Sequence, residues 1–146
     1  IQSQGVAATV KHFALNNKET DRKHSDSRVS ERAAREIYLK AFEYVIKGAK
    51  PWAVMSSYNI INGCYASENK ELLEDILRDE WGFDGMVTTD WWTLGEHYKE
   101  VKAGNDMKMA CGDPKRLKEA MDQGLLTRQD LEHCAERVLN LILKLD

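Results

Sequence analysis

The sequence predicts an α/β fold, with parallel strands alternating with helices to make about half of a TIM (β/α)8 barrel. Three observations carry that expectation. Short apolar, β-branched runs alternate with segments of helical period four times along the chain, as a parallel sheet covered by helices requires. Each candidate strand turns polar toward its C-terminal end, the end at which parallel α/β folds bind ligands. The chain has 146 residues, whereas a complete barrel takes roughly 250. A doubly wound open sheet competes, but no G-x-G-x-x-G follows the first strand and no Walker motif occurs, so the best reason for a nucleotide-binding sheet is missing.

The elements follow in order. Residues 6–13, VAATVKHF, read as the first strand, ending in Lys11-His12. Residues 16–27 are too charged for a core and read as a loop. Ser30 is a candidate N-cap, and Ala34, Ile37, Tyr38, Ala41, Phe42 and Val45 recur at helical spacing over 31–47. Gly48 closes that helix and Pro51 blocks its continuation. WAVMS, 52–56, is the second strand and leads into Ser57-Tyr58-Asn59, with Asn62-Gly63 marking a turn. Ser67 is expected to cap a helix running to about Glu80. The third strand, 85–89, ends on Asp90 and Trp91. A short helix fits 96–102, a fourth strand 105–109, and Pro114 opens another helix. Thr127 and Asp130 form a variant capping box for a last helix with Leu131, Val138, Leu139, Ile142 and Leu143 on its apolar face.

Composition narrows the partners. A net charge of −3 argues against a nucleic-acid backbone or an anionic membrane surface. No apolar run approaches the roughly 18 residues of a membrane span; no stretch reads as a signal peptide either, which means little for an excised piece, where one would sit upstream. Ile1 suggests a piece of a longer chain. The three cysteines, Cys64, Cys111 and Cys134, fit no zinc spacing. As free thiols they favour a reducing, cytoplasmic setting.

The polar strand ends bring a cation pair, a phenol, a carboxylate and an aromatic surface to one rim. Each has a plainer reading beside it. Asp90 alone would more often be a helix cap, and His12 alone a hydrogen-bonded structural residue. Tyr58 is as readily a core tyrosine with its hydroxyl satisfied. Trp91 reads as a flat surface for a ligand, Trp92 as packing, and Trp52 and Trp81 as core or interface. Asp106 reads as a brace of the barrel rim, and Glu19 with Arg22 as a loop ion pair. His24, His97 and His133 are read as solvent-exposed. Lys108 is an unusual charge inside a strand. Lys11 at a strand end also admits a Schiff-base, aldolase-type barrel.

VKHFALNNKETDR, PWAVMSSYNIING, LRDEWGFDGMVTTDWW and AGNDMKM, in that order and over nearly the whole chain, resemble the second half of the barrel domain of glycoside hydrolase family 3, the β-glucosidase type. The resemblance implies a retaining exo-acting β-glycosidase without metal or organic cofactor, acting on a β-linked oligosaccharide or aryl glycoside. Asp90 would be its catalytic nucleophile. Lys11 and His12 would bind sugar hydroxyls, Met55 and Tyr58 would line the same subsite, Trp91 would stack on the next sugar, and Arg22 would shape the site. Retaining hydrolysis also needs a second carboxyl to protonate the leaving oxygen. In the family that acid sits on a C-terminal domain, which is expected to be absent from residues 1–146, as is the first half of the barrel. The fragment alone is therefore expected to be inactive and to associate with its missing half or a second copy. A non-catalytic sugar-binding relative is the alternative. Thr89 where the family often has Ser, and Ala110-Cys111 where it usually has Pro, are departures. NNKETDR lacks the extended His-containing loop of the N-acetylglucosaminidase branch, favouring a glucoside or xyloside.

Overall fold

The computed structural model describes residues 1–145. Three parallel strands form an arc in the order β1 (Thr9–Phe13), β3 (Ala53–Ser56) and β6 (Met86–Thr89). The expected fourth strand is reduced to a single parallel bridge, Thr88 to Met107. Lys108 explains the shortening: its ammonium turns away from the ladder to a buried carboxylate, so the segment peels off. Register fixes which side chains face the helices. Val10, Val54 and Val87 are aligned across the sheet and pack with the buried helix residues Leu39, Ile46, Leu73 and Leu77. Because strand side chains alternate, Lys11, Met55 and Thr88 fall on the other face. Gly85 at the start of β6 has no room for a side chain, since a Cβ there would collide with the Trp52 carbonyl.

A second, small sheet stands beyond the C-terminal tips. β2 (Asp26–Ser27) pairs with β4 (Ile60–Ile61), which pairs in antiparallel fashion with β5 (Cys64–Tyr65). The charged segment read as a loop thus contributes an edge strand. Asn62 and Gly63 both have positive φ, 49° and 91°, as an Asn-Gly hairpin turn requires.

The first helical segment begins with α1 (Glu31–Ala33), capped by Ser30, whose hydroxyl accepts from the Ala33 N–H at 3.2 Å. It passes through a π-wound stretch, Ala34–Tyr38, into α2 (Lys40–Ala49). Lys50, with φ 46°, supplies the left-handed cap rather than Gly48. Its face is only partly the one expected: Ala34 and Phe42 pack on the core beside buried Leu39 and Ile46, whereas Ile37 and Val45 are exposed. The next helix, Glu71–Glu80, is π-wound and is capped by Asn69, whose side-chain oxygen accepts from Leu72 N–H at 3.0 Å. Ser67 is buried and its hydroxyl goes to Glu100 instead. Then come α3 (His97–Lys102), α4 (Pro114–Asp122) and α5 (Arg128–Leu145). The Thr127–Asp130 capping box is reciprocal: the Thr127 N–H donates to the Asp130 carboxylate, and the Asp130 N–H to the Thr127 hydroxyl. Leu139, Ile142 and Leu143 on α5 are exposed. No helix of the described residues is long and apolar enough to cross a membrane.

Trp81 lies in the core, with Phe13 edge-on to it at 5.9 Å and to Phe42 at 5.1 Å between ring centroids. The three cysteines are free thiols.

Candidate active site

Asp90 follows the last residue of β6 and is buried, its side chain 8% exposed. One carboxylate oxygen, Oδ1, accepts the Trp91 N–H at 2.7 Å. The other, Oδ2, lies 3.5 Å from His12 Nε2 on β1. Tyr58, two residues past β3, completes the cluster. Its hydroxyl donates to the Trp91 carbonyl at 2.6 Å. Burial, and then the Asp90 charge, push the phenol above its ordinary value, so it stays a neutral donor near the carboxylate. Three strand tips therefore deliver an imidazole, a phenol and a carboxylate to one place.

Cations brace that place from the loop after β1. The Arg22 guanidinium lies 4.6 Å from the Tyr58 ring centroid, and Lys23 Nζ lies 4.9 Å from it. Arg22 also pairs with Glu19 at 3.0 Å, as the plainer reading of that pair expected. Lys23 donates to the Trp92 carbonyl at 3.0 Å. The tryptophans sit on the outside, 45% and 56% exposed, with ring centroids 5.4 Å apart. Trp92 is thus not packing in the core. Its φ of 53° turns the chain so that both indoles face solvent at the rim.

Lys11 is exposed, and none of the described residues forms a hydrogen bond or ion pair with its ammonium. It stands on the open face beside His12 and is not brought onto Asp90. Met55 is half-buried on that face, opposite Thr88. Asp106 does not reach the rim. It accepts from Val87 N–H at 2.7 Å and pairs with Arg78 at 2.9 Å and Arg137 at 3.2 Å. His97 is half-buried and accepts the Asp113 N–H at 3.2 Å, correcting the reading of it as solvent-exposed. Cavities of about 330 Å³ and 220 Å³ lie away from Asp90. The first is lined by Leu15, Arg35, Cys64 and Leu72, the second by Asn16, Arg28, Tyr38 and Asn59. The buried carboxylate and the exposed indoles meet at the open rim, outside both cavities. Among the described residues no three His, Cys, Asp or Glu side chains gather as a metal-binding group.

Lys23 was missed by sequence reasoning; its place beside Arg22 in a polar loop was the available signal. Lys108 was noticed as odd but given no role.

An arc of parallel strands with an acid, an imidazole and exposed indoles at its C-terminal tips is part of a (β/α) barrel with a polar rim. Residues 1–141 match the Glycosyl hydrolase family 3 N terminal domain, and the chain belongs to that family. It is 62% identical over 132 residues to Beta-glucosidase A of Butyrivibrio fibrisolvens, covering 90% of this chain and 16% of that protein. It is 44% identical over 145 residues to an Exo-alpha-(1->6)-L-arabinopyranosidase of Bifidobacterium longum, covering 99% of this chain and 19% of that one. Among solved structures, beta-glucosidase 3B from Thermotoga neapolitana in complex with glucose superposes with a TM-score of 0.94 at 44% identity, covering 98% of this chain and 21% of that one. The chain thus spans about a fifth of the length of these relatives.

Proposed function

We propose that the protein carrying this chain is a retaining exo-β-glycosidase for terminal β-glucosides and that this chain supplies its nucleophile, Asp90. The observation that carries the reading is the Asp90 carboxylate at a strand tip, held by one backbone N–H and flanked by His12, Tyr58 and the exposed Trp91. In the first step the free lobe of the carboxylate attacks the anomeric carbon as the glycosidic C–O bond breaks. The leaving oxygen takes a proton from a second carboxyl group. In the second step water adds to the anomeric carbon, gives its proton back to that group, and releases Asp90. Among the described residues no second carboxylate bonds to Asp90, His12 or Tyr58. The family resemblance implies an acid/base carried elsewhere in the whole protein, so the isolated chain is expected not to turn over substrate.

The remaining residues bind and orient. Lys11 and His12 donate to sugar hydroxyls, Met55 lines the open face, Tyr58 fixes the Trp91 backbone, and Arg22 holds Tyr58 from behind. Trp91 offers a flat indole to the C–H face of the neighbouring sugar. A Schiff-base role for Lys11 finds no support, because that chemistry needs a desolvated lysine and this one is exposed. The arabinopyranosidase relative supports one second reading, an α-L-arabinopyranoside in the same site.

The test is covalent trapping. A 2-deoxy-2-fluoro-β-glucoside with a good leaving group should inactivate the full-length protein, and peptide mass spectrometry should find the adduct on Asp90. An adduct elsewhere, or none with either the glucoside or the arabinopyranoside reagent, would overturn the reading.

A further inference from the structure

We infer that Lys108 and Glu100 form a positioning pair that aims the Trp91–Trp92 platform and so tunes how the leaving-group side of the substrate is bound. The inference rests on the glycosidase reading above. Both side chains are almost wholly buried, 6% and 1% exposed. An ammonium has three protons to donate, and Lys108 places all three. One goes to Glu100 Oε2, one to the Thr93 hydroxyl at 3.0 Å and one to the Gly95 carbonyl at 3.0 Å. Two of its three bonds therefore hold the loop that starts at Trp91.

The pair is in turn wired to the end of β3. Glu100 Oε1 accepts the Ser67 hydroxyl at 2.8 Å, the Ser67 carbonyl accepts from the Asn105 amide, and the Asn105 side-chain oxygen accepts the Ser56 hydroxyl at 2.9 Å. Ser56 ends β3, two residues before Tyr58. The neighbouring Met109 fixes the other end of the loop. Its N–H donates to the Thr89 hydroxyl at 3.0 Å, and its carbonyl accepts the Trp92 N–H at 3.3 Å. Gly95 is pressed against the pair, since a Cβ there would lie 2.6 Å from Glu100 Oε1.

Stability alone does not account for this arrangement. Well-packed apolar residues in place of a buried ion pair commonly leave a protein equally stable or more so. The pair supplies direction instead, since an apolar pair makes no bond to the Thr93 hydroxyl or the Gly95 carbonyl. Those bonds fix the backbone directly after the two indoles.

The test uses the full-length protein with Lys108→Met and Glu100→Gln together, which leaves no lone buried charge and keeps a partner for Ser67. The expected result is a split between substrates. For a β-glucosyl disaccharide kcat/KM falls about tenfold through KM, the size of one or two lost hydrogen bonds. For β-glucosyl fluoride, whose leaving group is too small to reach Trp91, it changes less than about twofold. Acrylamide quenching of indole emission rises in parallel. Equal losses on both substrates, or unchanged quenching, overturn the inference. If the double variant does not accumulate as folded protein, Thr93→Val carries the test, with the same split at about two- to threefold. If the unaltered protein hydrolyses neither substrate, the glycosidase reading fails, and the pair is judged on quenching alone: a rise supports the tether and no change removes it.

Discussion

Asp90 follows β6 and Asp106 grips the Val87 N–H within it, three residues earlier, and the chain treats them in opposite ways. Asp106 is saturated: two guanidinium groups and the Val87 N–H occupy its oxygens, and its side chain has no exposed surface. Arg78 and Arg137 are balanced by Asp106 and Glu74, which pairs with Arg137 at 2.9 Å, so the cluster carries two charges of each sign. Asp90 has one firm bond, from the residue next to it, and a histidine at 3.5 Å. A carboxylate with every lone pair engaged is a brace. One that keeps an oxygen free beside an exposed aromatic surface can take up an electrophile.

That contrast is broken or sharpened first at Asp90. Asp90→Asn should lower glycoside turnover by a factor on the order of 10⁴ or more while leaving the unfolding midpoint of the full-length protein nearly unchanged. Comparable turnover with and without the carboxylate would put the nucleophile elsewhere. Asp106→Ala should do the reverse. Removing one partner of a buried ion cluster costs about 3–5 kcal/mol, because Arg78 and Arg137 are left facing each other. Soluble yield and midpoint should fall, and the folded remainder should keep its KM. A third variant lies between them. Tyr58→Phe deletes the 2.6 Å bond to the Trp91 carbonyl, worth about 1 kcal/mol. It should lower kcat/KM roughly fivefold with only a small change in midpoint.

The two aspartates were unequally legible in sequence. Asp90 and Tyr58 follow strand ends and His12 lies one residue before one, and strand ends can be read from β-branched runs and the polar residues that close them. Asp106 was read as a brace of the rim; a brace it is, but away from the rim, in a segment that leaves the sheet after one bridge. Lys108 was opaque for a related reason. Its partner Glu100 lies on α3, and no periodicity links a strand residue to a helix residue of opposite charge. The capping box at Thr127 and the Asn62-Gly63 turn were legible because they are local. The apolar ridges at Ile37, Val45, Leu139 and Ile142 were visible as ridges but not as exposed ones. Period tells which residues share a face, not what that face meets.

The smallest effect tests whether burial or coordination makes Asp106 a brace. Glu43 on α2 also has two cationic partners, Lys47 at 2.8 Å and Lys40 at 2.9 Å. The hydrogen bond from Lys47, then that from Lys40, hold its carboxyl down at about 2, below the ordinary 4.5. A lowered value means the paired carboxylate favours the folded state above about pH 4.5, and the contribution is lost as pH falls toward about 2. Glu43 keeps about a quarter of its side chain exposed and the two lysines about half, however, so salt screens them and side-chain entropy opposes them. Glu43→Gln should therefore leave the midpoint at pH 7 within error, and whatever small shift it makes should vanish in 1 M salt. If Glu43→Gln instead destabilised the protein as much as Asp106→Ala, the number of cationic partners would be the governing quantity. A negligible shift leaves burial as what separates the two carboxylates, and leaves Asp90, buried but under-coordinated, as the one free to react.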